Sequence, residues 1–248
     1  NLLFDMVMLP SKFHYNEMIK RFKNNITPNS LGKDEGILSN KVIKCFSSHP
    51  FSHGKRGTKM SVVGWPRGDF FFKQKLTQQN KNKLLKEFNL NKNFKTFLYA
   101  PTWNAYYNLG LFPKSFGNYL KAFEEISIYM MENNINFIFK PHPGMSKYIN
   151  DTKIHYIADK YNVHLCYRHA SGHLDMQMEN YLRVSDCLIS DISGIITDFM
   201  ILNRPIIFIE PDNEILGWDD FDLPSNFRAG YVANSIHDLK SYIYKSIK

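Results

Sequence analysis

Cysteine is scarce: Cys45, Cys166 and Cys187 are all that 248 residues carry. They lie far apart and include no Cys-x-x-Cys pair. That spacing supports neither a zinc site nor a disulfide framework, and a reducing, cytoplasmic compartment fits it best. No run of about 18 apolar residues occurs, so no membrane-spanning helix is expected, and no signal peptide is visible. Arginine-rich runs and nucleic-acid motifs are missing, which removes nucleic acid from the expected partners. There is no glycine-rich Walker loop, no catalytic Ser-His-Asp order and no internal repeat. His49, His53, His155, His164, His169 and His173 show no metal-ligand spacing. His169 and His173 are four apart, but Gly172 between them favours a solvated loop. No metal and no cofactor is therefore expected.

Aromatic residues, by contrast, reach 15%, enough for a well-filled core and against disorder. The net charge of +8 favours anionic partners, either acidic lipid or phosphorylated substrate. The other reading is that Lys and Asn simply solvate the surface. The chain opens at Asn1 directly in an apolar run, Leu2–Leu9, and the expectation is that a portion N-terminal to it is missing.

Leu2–Leu9 reads as a buried strand, with Ser11 capping a helix over 13–22. Residues 24–40 are loop-like and 41–46 a short strand. A loop rich in glycine and histidine covers 47–57, and residues 62–69 form a strand end and turn. An amphipathic helix over 77–89 leads into a linker near 89–93. From Phe94 the pattern becomes regular. Strands are expected at 96–100, 136–140, 163–167, 187–189 and 205–209, and helices at 115–133, 175–184, 194–202 and 235–247. These strands are apolar throughout rather than alternating, as in a parallel sheet covered on both faces. The expected fold is α/β: a partial N-terminal domain over 1–92 and a doubly wound, Rossmann-like, nucleotide-binding domain over 93–248. Ligands of such sheets bind at the carboxyl ends of the strands, where each motif below falls.

In Ser190-Asp191-Ile192-Ser193-Gly194 a buried strand gives way to a helix start. Its first N–H groups form an anion site; Ser193 adds a hydroxyl, and Gly194 admits a phosphate close to the backbone. The competing reading is that Ser193 or Asp191 simply caps the helix. In Lys140-Pro141-His142-Pro143 two prolines fix His142 at the sheet's mouth, where it can donate to a phosphate or move a proton. Lys140 supplies charge. A plain turn histidine is the alternative. Tyr99-Ala100-Pro101-Thr102-Trp103 brings Thr102 to the same crevice, with Trp103 in core or hinge packing, or stacked on a base. In Gly64-Trp65-Pro66-Arg67-Gly68-Asp69, Arg67 is either a phosphate ligand or the partner of Asp69.

Together and in this order, these motifs resemble the CDP-glycerol glycerophosphotransferase family, the teichoic-acid primases and polymerases. Arg204-Pro205-Ile206 and Val7-Met8-Leu9-Pro10-Ser11 are similar to further segments of that family. The resemblance implies a GT-B fold and transfer of glycerol or ribitol phosphate from a CDP-activated donor, releasing CMP. The acceptor would be an anionic cell-surface polymer or its lipid-linked primer. It implies a donor held by Arg67, Thr102, Lys140, Ser190, Asp191, Ser193, Gly194 and Asp198, with His142 catalytic. Peripheral contact with the inner face of the cell membrane would suit the positive charge. Three departures stand out. The family's Trp-His-Gly segment is absent, and His53-Gly54 falls in the wrong order to replace it. Gly194 occupies the position of a second serine. The segment after Ile209 reads Glu210-Pro211-Asp212-Asn213 without the family's aromatic residue. The acceptor's base is therefore expected on a segment before Asn1. Rival expectations are a nucleotide-sugar glycosyltransferase or epimerase of the same fold, acting in capsule or other surface polysaccharide, and an inactive nucleotide-binding module.

Overall fold

The computed structural model describes the backbone of residues 6–9, 42–43 and 58–62. It describes side chains as well at 71, 76–102, 112–142, 151–166, 178–191, 193–210 and 228–247. The chain divides into two compact units, Asn1–Lys73 and Gln74–Lys248.

In the first unit, strand β1 (Met6–Leu9) pairs in parallel with β3 (Thr58–Val62). The two-residue β2 (Val42–Ile43) pairs antiparallel with β3, giving the order β1-β3-β2. The Ser11 cap, the helix over 13–22, the loop over 47–57 and the turn over 64–69 lie outside the described residues.

The second unit starts earlier than the sequence reading placed it. Helix α1 (Gln78–Glu87), capped by Thr77 accepting from the Asn80 N–H, belongs to it rather than to the N-terminal domain. The reason is packing: Leu85 and Phe88 are buried, and the Phe88 ring lies 4.5 Å from that of Tyr181 in helix α4 (Met178–Val184).

Six parallel strands follow: β4 (Lys95–Tyr99), β5 (Ile135–Phe139), β6 (Val163–Leu165), β7 (Cys187–Ser190), β8 (Ile206–Ile209) and β9 (Tyr231–Ala233). Their order is β6-β5-β4-β7-β8-β9, the doubly wound arrangement, with its reversal of direction between β4 and β7. Helices α2 (Tyr119–Glu132), α3 (Thr152–Lys160) and α6 (Ile236–Ile247) cover one face. There Phe97, Phe137, Phe139 and Ile189 pack against Phe123, Ile126, Met130, Ile157 and Leu239. Leu98, Ile138 and Leu188, the alternate positions, are also buried, because α4 and α5 (Ile195–Met200) lie against β4 and β7 on the sheet. Burial on both faces is why these strands carry no polar alternation. Each large side chain so buried contributes about 1.5–3 kcal/mol.

Some elements differ from the sequence reading. The single helix over 115–133 is split into a short 3₁₀ turn, Lys114–Phe116, and α2. Gly117 between them takes φ 79°, a left-handed conformation that a side chain disfavours. Asn118 then caps α2 by accepting from the N–H groups of Leu120 and Lys121. Strand β6 ends at Leu165, although the Cys166 N–H still donates to the Phe139 carbonyl. Helix α3 and strand β9 are additional.

Candidate functional site

The neighbouring carboxyl ends of β5, β4 and β7 gather most of the motif residues. Backbone bonds prolong the ladder past the strands: Ala100 N–H donates to Ile189, and Lys140 N–H to Tyr99. The Ser190 hydroxyl donates to the Ala100 carbonyl at 2.7 Å. Ser190 is fully buried, so its hydroxyl ties two strand ends together instead of facing the crevice.

At the switch point itself the Asp191 carboxylate accepts from Thr102. The Thr102 N–H lies 3.0 and 2.9 Å from its two oxygens, and the Thr102 hydroxyl donates at 2.6 Å. Two residues 89 positions apart in sequence thus close the gap that divergence of the crossovers opens at this point. Tyr99 lies beneath them. Burial, with the Asp191 charge adding to it, holds its phenol well above the ordinary value, so it stays neutral.

Beyond Asp191, Ser193 is half-buried and Gly194 exposed. Helix α5 is only six residues long, so its macrodipole is small and local N–H groups matter more. Ile196 and Thr197 N–H groups close three-residue turns onto Ser193 and Gly194. Among the described residues, the donors that a helix start leaves over are then those of Gly194 and Ile195. Among the same residues, a Cβ on Gly194 would meet nothing within 4 Å. Asp198, in contrast, is buried in the helix.

At the end of β5, Lys140 is half-buried and His142 exposed. Desolvation at the mouth of the sheet, with the Lys140 ammonium adding to it, lowers the His142 imidazole below its ordinary value. The ring is neutral at physiological pH and presents one N–H and one lone pair. The structure thus places Thr102, Lys140, His142, Asp191, Ser193 and Gly194 along one edge of one sheet. Arg67, Asp69, Trp103 and Pro143 lie outside the described residues.

One pair has no counterpart in the sequence reading. Arg228, whose side chain is almost fully buried, bonds the carboxylate of Glu210, and its guanidinium lies 5.8 Å from the Phe208 ring. Glu210 follows β8 immediately, one strand from β7, and its N–H donates to Ala233. A signal was present in the acid just after an apolar strand, but its partner, 18 residues on, carried none. Cys187 is unsuited to nucleophilic chemistry: burial pushes its thiol far up, and it stays protonated.

A doubly wound parallel sheet with these residues at its switch point, preceded in the chain by a smaller unit that holds a three-stranded sheet, defines a GT-B-type α/β protein. Residues 19–217 match the family described as CDP-glycerol:poly(glycerophosphate) glycerophosphotransferase. The chain belongs to this family.

Relatives agree. The chain is 33% identical over 153 residues to a teichoic acid poly(glycerol phosphate) polymerase of Bacillus spizizenii, covering 61% of this chain and 35% of the relative. It is 28% identical over 183 residues to the teichoic acid ribitol-phosphate polymerase TarL of Staphylococcus aureus, covering 71% and 30%. A structure of a single-residue variant of the wall teichoic acid polymerase TagF superimposes with TM-score 0.57 at 16% identity, covering 97% of this chain and 48% of that chain. A TagF variant soaked with CDPG gives TM-score 0.59 at 17% identity, covering 98% and 47%. These superpositions show a shared fold. The chain spans about a third of the length of the curated relatives it matches. Among the described residues no helix is long and apolar enough to cross a membrane.

Proposed function

We propose that this chain carries the donor-binding part of a transferase that moves glycerol or ribitol phosphate from a CDP-activated donor to a cell-surface polymer or its lipid-linked primer. The observation that carries the reading is the family match falling on a chain whose motif residues share the sheet edge at its switch point. The donor's diphosphate lies against the Gly194 and Ile195 N–H groups and the Ser193 hydroxyl. Lys140 supplies charge, and the His142 N–H donates to an oxygen whose charge grows as CMP leaves. The acceptor hydroxyl attacks the phosphorus that bears the polyol, the bridging P–O bond breaks, CMP departs with the electron pair, and the acceptor's proton passes to a general base. Ser190 and Asp191 act by holding the strand ends, and Asp198 supports α5 from within. Work of this kind belongs in the cytoplasm at the inner face of the membrane, where donor and polymer meet, in teichoic-acid or capsule assembly.

Calorimetry with CDP-glycerol, CDP-ribitol, CDP, UDP and CMP tests this. The CDP compounds are expected to bind best, with Ser193→Ala and His142→Ala each weakening CDP-glycerol roughly tenfold, as loss of one charge-assisted hydrogen bond requires. The CDP-glycerol diphosphate does not titrate near neutrality. Its affinity should therefore rise as pH falls through the lowered His142 value, where the imidazole gains charge, and His142→Ala should abolish that rise. Preference for UDP would move the reading to a nucleotide-sugar transferase, and absence of any nucleotide binding would end it.

A further inference from the structure

On the opposite edge of the second unit's sheet, a concavity of about 680 Å³ is lined by Lys83, Lys86 and Lys92, by the amides Asn82, Asn89 and Asn91, and by Leu90. It lies where α1 ends and the chain turns towards the start of β4. Because the strands are parallel, this edge is separated from the candidate site by the length of a strand, on the order of 17 Å. It is no part of that site.

Its wall is held rigidly. Helix α1 ends with the Leu90 N–H bonded to Leu85 and the Asn89 N–H to Lys86. Asn89 sits at φ 56°, the left-handed position of a Schellman turn. The Asn136 side chain then grips Asn91 from β5: its oxygen accepts from the Asn91 N–H at 3.0 Å, and its amide donates to the Asn91 carbonyl at 2.7 Å. A lining fixed in this way loses little freedom on binding.

Its charge is one-sided. From residue 81 to residue 95 the chain carries Lys81, Lys83, Lys86, Lys92 and Lys95 against Glu87 alone. Glu87 lies 4.0 Å from Lys83, both exposed, a pairing of little strength in water. Lys86 and Lys92 are exposed and join no ion pair among the described residues. The nearby Asp186 is already engaged by Lys81 and by the Thr96 N–H.

We infer that this groove is a holding site for a phosphodiester-linked polyol chain, remote from the reacting end. Several ammonium groups on one surface attract a chain of repeating phosphates, and asparagine amides can both donate to and accept from the hydroxyls between them. A bilayer is the poorer fit, because Leu90, half-buried, is the one apolar residue among those lining it, whereas membrane binding needs an apolar face to insert. The identity of the polymer rests on the function proposed above; the groove's preference for a polyanion rests on its own lining.

The test uses the full chain and a fluorescent glycerol-phosphate oligomer of defined length, read by anisotropy at several salt concentrations, with CDP-glycerol calorimetry alongside. Lys83→Gln/Lys86→Gln/Lys92→Gln is compared with Lys121→Gln/Lys153→Gln/Lys245→Gln, which removes equal charge from other positions. The groove variant should lose oligomer affinity roughly tenfold at low salt, with a shallower salt dependence. The control should change less than about twofold, and CDP-glycerol affinity should hold in both. Equal losses in the two variants, or none in the groove variant, overturn the inference. So does capture of the chain by phosphatidylglycerol vesicles through these lysines without oligomer binding. Groove-dependent oligomer binding in a chain that ignores CDP-glycerol would leave the holding site standing and sink the donor reading instead.

Discussion

Asp191 and Thr102 show how a residue in a binding crevice can act by shaping it. The carboxylate accepts both the backbone N–H and the hydroxyl of Thr102, satisfying a donor just past the last residue of β4. Hydrogen bonds to a charged partner contribute about 1.5–3 kcal/mol. Asp191→Asn preserves shape but removes the charge and turns the oxygen that Thr102 meets only through its N–H into a donor. It is expected to lower unfolding stability by roughly 2 kcal/mol in urea denaturation with an unchanged slope. Thr102→Val, which leaves the backbone bond, should cost about 1 kcal/mol. A neutral Asp191→Asn would mean that the strand ends are held apart from this contact. Neither juxtaposition nor role was legible in the sequence, because 89 residues separate the two and only the sheet order makes them neighbours. The sequence did place both at strand ends, since apolar strands that stop abruptly at Pro101 and Asp191 mark the edge of a covered sheet.

Helix ends carry the next level of organisation. Asn89, Asn134, Asn162 and Asn203 all take positive φ just after α1, α2, α3 and α5, asparagine filling a position that glycine most often takes. Helix α4 ends differently. Arg204 reaches back to donate to the carbonyls of Leu182, Arg183 and Ser185, at 3.5, 2.7 and 2.5 Å, acceptors that a helix end otherwise leaves over. The Arg-Pro-Ile segment noted in the sequence therefore serves the fold directly. Arg204 fastens α4 while Pro205 opens β8, and the Pro205 carbonyl accepts from the Leu188 N–H. Arg204→Ala is expected to lower stability by about 2 kcal/mol. Arg204→Lys should recover less than half, because an ammonium cannot present the guanidinium's fixed fork. Thermal unfolding of the three proteins checks this, and an unchanged Tm in Arg204→Ala would refute it. The same scale explains what the pattern revealed. The central strands were legible because both their faces are covered. Helix α3 was not, because it buries only the narrow stripe Ile154, Ile157 and Ala158 among charged neighbours. Strand β9 was not, because it has three residues with Tyr231 exposed.

At the scale of the molecule, the second unit holds a closed set of requirements for independent folding. Its six strands are all paired within it, and one buried cluster joins β4 to β9 through α2, α3 and α6. Its first helix is anchored by Phe88 on Tyr181. Fragment 74–248 should therefore unfold in one cooperative step, with a calorimetric enthalpy of roughly 120 kcal/mol for its size. A broad transition, or an enthalpy well below that value, would show that the core needs the first unit.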